Sequence, residues 1–227
     1  MAKQTHSSED EILDSWHRNA LPWAEAIRNE KIESRRLVTN RAIVDAILDR
    51  SPRSVLDIGC GEGWLVRALS GHGMRVTGID AVPALVEKAR NSGGGEFHVA
   101  TYDDISAGRF NIAVDVAVCN FSLLGDESVD EVFRAVPRLL NKGGGFMVQT
   151  LHPVVACGDL PYQDGWRPGS WDGFGSGFID PAPWYFRTLE SWKALFLLHG
   201  FSSLEIREPL HPATGQHASV ILIAGIA

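Results

Sequence analysis

The sequence predicts an α/β protein: a mostly parallel seven-stranded sheet with helices on both faces and a terminal antiparallel hairpin, with added N-terminal helices and an aromatic-rich insertion. Three observations predict it. Short apolar runs alternate with helical stretches from Val55 to Thr150, a pattern that calls for right-handed crossovers and parallel strands. The run Val55-Leu56-Asp57-Ile58 passes straight into Gly59-Cys60-Gly61-Glu62-Gly63, a buried strand entering a glycine-punctuated turn. The last two apolar runs, 203–207 and 219–224, are joined by a link short enough for antiparallel pairing.

The elements follow in chain order. Residues 8–50 read as a helical addition ahead of the core. Within it, Trp16 and Trp23 are separated by Pro22, and the proline is expected to part them onto two helices meeting at a corner. Arg35, Arg36 and Arg41 form the densest basic stretch; they open a helix whose apolar positions Leu37, Val38, Ile43, Val44, Ile47 and Leu48 face a core, so these arginines read as a solvated face. After the glycine turn a helix starts at Trp64. Arg75-Val76-Thr77-Gly78-Ile79-Asp80 is a second strand ending in an acid. Pro83 suits the first turn of the next helix, which 91–95 stops. Strands at 96–100 and 114–120 follow; a helix opens at Asp130, with Pro137 placed to kink it, and 141–145 turns into a fifth strand at 146–150.

The alternation then fails for the 37 residues Leu151–Arg187, longer than structureless loops in compact domains ordinarily run. Tyr162, Trp166, Trp171, Phe174, Trp184 and Tyr185 lie there among glycines and prolines, a composition suited to a lid or cavity wall; packing of these rings on one another or on a second subunit is the plainer alternative. Thr188 caps the next helix and Gly200 ends it. The two closing strands complete the sheet.

A dinucleotide fingerprint G-x-G-x-x-G, counted from Gly59, would need a third glycine at position 64, where Trp64 stands. What is present is D-x-G-x-G-x-G, Asp57 through Gly63. Here the chain resembles the class I S-adenosylmethionine-dependent methyltransferases, with their Rossmann-like sheet, and the resemblance extends along most of the chain. It implies one methyltransferase domain over 1–227, with 8–50 as a helical cap over the cofactor, 151–187 as a lid, and a last strand inserted antiparallel. It implies S-adenosylmethionine as cofactor and S-adenosylhomocysteine as product. The site carries over onto Asp57, Gly59, Cys60 and Gly61 in the turn, onto Asp80 and its neighbour Ala81, and onto Asn120 and Phe121 after the fourth strand. Asp80 is the expected ribose clamp, since a carboxylate can accept from both ribose hydroxyls. The family's adenine-binding acid has no direct counterpart, because Thr101 occupies its place; either Asp103 or the backbone at Tyr102 is expected to serve.

Composition narrows the partners. A net charge of −7 disfavours nucleic-acid substrates, and no run approaches the roughly 18 apolar residues of a membrane span. The first residues, Met1 to His6, lack a hydrophobic leader, so a cytoplasmic protein is expected. Cys60, Cys119 and Cys157 have no disulfide or metal spacing. Methyl transfer to a hydroxyl or ammonium needs a base, and His152, just after the fifth strand, is the first candidate and His17 the second; a structural histidine is the competing reading for both. His152, His211 and His217 match no metal motif, so no metal is expected. The reading is a methyltransferase acting on a small or medium-sized acceptor. A non-catalytic protein that only binds the cofactor, and a nucleotide-dependent oxidoreductase, are the alternatives.

Overall fold

In the computed structural model residues 8–226 are described; the stretch 1–6, read above for a leader, lies outside them. Helix α1 (Ser8–Arg28) is followed by a π-helical turn, Arg35–Thr39, and α2 (Asn40–Leu48). The core then runs β1 (Ser54–Ile58), α3 (Trp64–Gly71), β2 (Arg75–Asp80), α4 (Pro83–Ser92), β3 (Glu96–Val99), α5 (Tyr102–Ser106), β4 (Val114–Asn120), α6 (Glu127–Ala135) and β5 (Leu140–Thr150). Beyond it lie the one-turn α7 (Pro153–Ala156), β6 (Gly165–Arg167), β7 (Trp184–Phe186), α8 (Leu189–Leu198), β8 (Ser202–Arg207) and β9 (Val220–Gly225).

Seven strands form one sheet in the order β3-β2-β1-β4-β5-β9-β8. The first five are parallel, and β9 enters antiparallel between β5 and β8. Chain order reverses at β1, whose neighbours are β2 and β4, so a crevice opens at the carboxyl ends of β1 and β4. Successive side chains of β1 serve opposite faces. Val55 packs with Ile43, Ile47, Leu65 and Val86 from α2, α3 and α4, whereas Leu56 belongs to the layer of Val132, Phe133 and Phe196 from α6 and α8. Phe133 anchors that second layer, with ring centroids 5.0 Å from Phe146 and 4.8 Å from Phe196, edge-on contacts worth about 0.5–1.5 kcal/mol each beyond burial.

Several elements differ from the sequence reading. Strand β5 begins at Leu140 rather than 146, because Leu140 already pairs with Val114 across a register shift. Trp16 and Trp23 share one continuous helix and touch edge-to-face, centroids 5.0 Å apart. Seven residues return an α-helix to nearly the same face, and Ala20 and Ala24, packed with these rings on Val82 and Leu85, hold α1 together across Pro22. Arg35 is 8% exposed; the π-helical turn rotates it inward, away from the solvated face expected of it. The 151–187 segment contributes a two-stranded antiparallel sheet, β6 with β7.

Candidate functional site

The site starts from the turn after β1. The amides of Gly59 and Cys60 both donate to Ile79 O, at 2.8 and 2.9 Å, which binds the turn to the end of β2. Gly59 has φ +77°, and a Cβ there would lie 2.3 Å from Ser122 Cβ. The missing side chain therefore makes room for Ser122, whose hydroxyl donates to Ile58 O at 2.7 Å, as well as for a ligand. Gly61 donates its amide to Asp80 Oδ2 at 2.8 Å, and Val82 donates to Asp80 Oδ1 at 2.9 Å. Asp80 is thus aimed by two backbone bonds, each oxygen keeping acceptor capacity.

Asp57, Gly59, Cys60, Gly61, Asp80, Ala81, Tyr102, Asp103, Asn120 and Phe121 all line one cavity of about 320 Å³. Thr101 and Asp104 form a capping box at the start of α5, and Arg109 holds Asp104 at 2.6 Å. Asp104 is thereby committed to local structure, its carboxyl held down at about 2 chiefly by the Thr101 amide, while Asp103 faces the cavity. Tyr102 donates its hydroxyl to Ser122 O at 2.8 Å. Phe121 adopts φ +56°, a conformation uncommon for a bulky residue and found where surrounding structure holds it; its amide donates to Gln149 O at 2.8 Å.

The electrostatics of this cavity are unusual for carboxyl groups. Burial, reinforced by the neighbouring Asp80, pushes Asp57 up to about 8, and the nearby Arg35 only partly offsets it. Asp57 Oδ1 and Asn120 Oδ1 are buried without hydrogen-bond partners. Such atoms are expensive to leave unpaired, and both belong to residues that line the cavity. Burial also raises Asp80, against the two amides that stabilise its anion. Arg35 is lowered to about 10 by burial, with Glu62 and Asp57 opposing that fall.

A second cavity of about 250 Å³ adjoins the first. Trp16, Trp23, Arg35, Phe121 and Leu124 line both. Trp171, Phe174 and Trp184 supply its aromatic wall from the 151–187 segment, and Arg35 is the ionisable side chain among its described lining residues. The segment is tied to α1. Asn19 accepts from Ile179 N and donates to Ile179 O, at 2.9 and 2.8 Å, while Ser15 donates to Asp180 O. Glu9, at the other end of α1, accepts from Asp126 N and from the Ser128 hydroxyl, fastening the helix to the start of α6.

No histidine is among the described residues lining either cavity. His152 is buried, with Nε2 2.8 Å from Glu208 Oε1, and His17 lies on the exposed face of α1. His17 nonetheless lies near enough to Asp80 for its charge to oppose the rise of that carboxyl, and Leu151, the neighbour of His152, lines the second cavity. Arg35, Trp16 and Trp23, which the sequence reading left outside the site, are its largest omissions. The Arg35–Glu62–Asp57 charge grouping spans 28 positions, and no local pattern signals it.

Residues 55–144 match a family model described as a methyltransferase domain. A ubiquinone biosynthesis O-methyltransferase of Xanthomonas oryzae pv. oryzae is 33% identical over 119 residues, which cover 50% of this chain and 49% of that protein. One from Xylella fastidiosa is 32% identical over 126 residues, 52% and 51% of the two chains. The chain spans about half the length of the curated relatives it matches. Among solved structures, the Burkholderia thailandensis 1,6-didemethyltoxoflavin-N1-methyltransferase, with bound 1,6-didemethyltoxoflavin and S-adenosylhomocysteine, superposes with a TM-score of 0.67 at 16% identity, covering 100% of this chain and 93% of that one. The plantazolicin methyltransferase BamL, in complex with a triazolic desmethylPZN analog and SAH, gives 0.68 at 15% identity, covering 96% of each. At these identities the structural likeness establishes the fold.

Proposed function

We propose that this chain is a class I S-adenosylmethionine-dependent methyltransferase, which binds S-adenosylmethionine in the cavity of about 320 Å³ and methylates a small, largely apolar acceptor in the adjoining one; its fold and the match over 55–144 support this reading. The observation that carries this is the junction of the two cavities, walled by Trp16, Trp23, Arg35, Phe121 and Leu124.

The residues present fit that cofactor. A ribose needs a doubly accepting carboxylate, and Asp80 stands at the end of β2 with both oxygens oriented. An amino-acid tail needs an acceptor for its ammonium and a cation for its carboxylate. Asp57 Oδ1 is an unpaired buried acceptor, and Arg35 is a buried guanidinium whose described hydrogen bond, from Nε to Asn40 Oδ1 at 3.3 Å, leaves its other donors available. Val82 and Leu85 offer apolar surface for adenine, with Asp103 at the rim.

The bound cofactor supplies a methyl group already activated on a sulfonium. The chain's part is orientation and exclusion of water. Trp16 and Trp23 on α1 and Trp171 and Phe174 beyond β6 roof the junction, edge against edge at 5.0–5.6 Å. Strained Phe121 projects between the cavities. In this reading His152 and His17 do not touch the reacting atoms. Three unpaired cysteines support a reducing compartment such as the cytoplasm.

Calorimetric titration with S-adenosylmethionine, S-adenosylhomocysteine and NADH tests the cofactor assignment. Asp80→Asn is the suitable control, because an amide oxygen can still accept from the turn. Binding of both adenosyl ligands, weakened in the variant, supports the reading; binding of NADH alone, or of nothing, removes it. Methyl transfer from labelled cofactor to a panel of planar acceptors then tests catalysis.

A further inference from the structure

We propose that His152, Glu208 and His217 form a binding site for a divalent transition-metal ion of the zinc class, outside the two cavities. The three residues come from separate segments. His152 follows β5, Glu208 follows β8 and His217 precedes β9, and the antiparallel pairings Thr150 with Val220 and Arg207 with Ile221 draw those ends together. One ligand atom from each lies within 4.8 Å of the others.

Hydrogen bonding accounts for little of this cluster. His152 is 3% exposed and spends Nε2 on Glu208, leaving Nδ1 buried and without a partner. His217 lies parallel to it, ring centroids 4.2 Å apart and planes 13° from each other. Its Nδ1 is also buried and unpaired. Two stacked imidazoles with idle nitrogens beside a carboxylate are costly as a polar network but apt as a donor set. Two histidines and a glutamate are a familiar zinc set, leaving a fourth position for water.

Metal bonds of about 2.0–2.2 Å require the three donors to converge. Glu208 is exposed and free to swing, which also opens an entry path, while His217 is half-buried and gives up only a stacking contact by turning its ring. For Nε2 of His152 to present a lone pair to the ion, the neutral ring's single proton passes by exchange with solvent from Nε2 to Nδ1, and the ion takes its place beside Glu208 Oε1. The residues next to two of the ligands, Leu151 and Ala218, line the smaller cavity. An ion here would brace that wall from behind by locking the β5 terminus to the link between β8 and β9.

The test uses the full chain, free of any affinity tag and stripped with a chelator, titrated with Zn²⁺ by calorimetry and with Co²⁺ by visible absorption. Glu208→Gln and His217→Ala are measured in parallel, with S-adenosylhomocysteine titration and thermal melts reporting on the rest of the fold. Expected are one equivalent of Zn²⁺, tetrahedral Co²⁺ bands without thiolate charge transfer, a higher melting temperature with metal, and an affinity loss of more than about tenfold in each variant. The absence of saturable binding, a thiolate band pointing to cysteine, or unchanged affinity in Glu208→Gln would each overturn the assignment. Because Glu208→Gln is an isosteric change at an exposed position, its result stands even if His217→Ala disturbs the loop.

Discussion

Arg35 lies across the Trp64 indole, its guanidinium carbon 5.1 Å from the ring centroid. The same carbon is 5.6 Å from Trp23 and 5.9 Å from Phe121. Trp64 thus has a positive use at the position where a dinucleotide site would carry glycine. It forms part of an aromatic cage that keeps one arginine charged inside the protein. Arg35→Gln is expected to weaken S-adenosylhomocysteine binding by roughly tenfold to a hundredfold, since a charge-assisted contact is lost. Arg35→Lys recovers only part of it, because an ammonium cannot span the cage as the planar fork does. Calorimetry on both variants checks this; an Arg35→Gln protein that binds as tightly as the parent contradicts the assigned role.

Asp57 makes stability depend on pH. Its carboxyl is raised from 3.8 to about 8 in the folded chain, so between these values the folded state holds a proton that the unfolded state has released. The associated stability is complete below about pH 4 and is lost as pH rises through about 8. Asp80 shifts in the same direction and adds to the trend. Asp57→Asn should flatten the decline, seen as urea midpoints that converge with the parent at low pH and exceed it at high pH.

The same proton couples to ligand binding. A cationic ammonium beside Asp57 favours the carboxylate, so affinity for S-adenosylhomocysteine should climb by up to about tenfold per pH unit until pH reaches about 8. Binding heats should differ between buffers of low and high ionisation enthalpy, reporting proton release. Equal heats in both buffers would show that Asp57 is not coupled to the tail.

Gly59→Ala brings a Cβ to 2.3 Å from Ser122 Cβ at a φ of +77°. We expect a loss of about 3 kcal/mol, combining the left-handed penalty with overpacking. Gly61→Ala has φ +57° but its nearest neighbour is Trp23 Nε1 at 3.5 Å, so it should cost less stability. Denaturant unfolding of the pair gives the comparison, and equal losses would mean that Ser122 yields easily.

Asn19→Ala removes both bonds that tie α1 to Ile179. A cost of about 1–3 kcal/mol is expected at that contact, appearing as faster proteolysis within 165–187 while S-adenosylhomocysteine binding stays near the parent value. Unchanged proteolysis would show that aromatic packing alone holds the roof.

The legible parts of this protein are those whose signals are local. Apolar runs and helical stretches showed the parallel sheet, the glycine turn marked the cavity floor, and Asp80 followed because an acid ends the second strand. The ten residues from Asp57 to Phe121 named for the cofactor meet in one cavity because each sits at or just beyond the carboxyl end of a strand, a position that topology assigns without reference to side-chain contacts. The Trp16–Trp23 pairing could also have been read, since a spacing of seven is itself a helical repeat.

What tertiary structure decided lies in contacts between distant segments. Arg35 reads as surface charge until the π-helical turn rotates it over Trp64. His152 reads as a candidate base just after the fifth strand, and only the folded sheet shows that β9 and β8 bring His217 and Glu208 against it. Asn19 and Ile179 are 160 positions apart, yet their contact fastens the 151–187 segment, which walls the smaller cavity, to the helix whose tryptophans line both. Local sequence specifies an element's period, face and ends, because those depend on neighbours along the chain. A buried charge, an unpaired nitrogen or a shared wall depends on the register of elements that meet only after folding, and so is written in the packing rather than in any single stretch of residues.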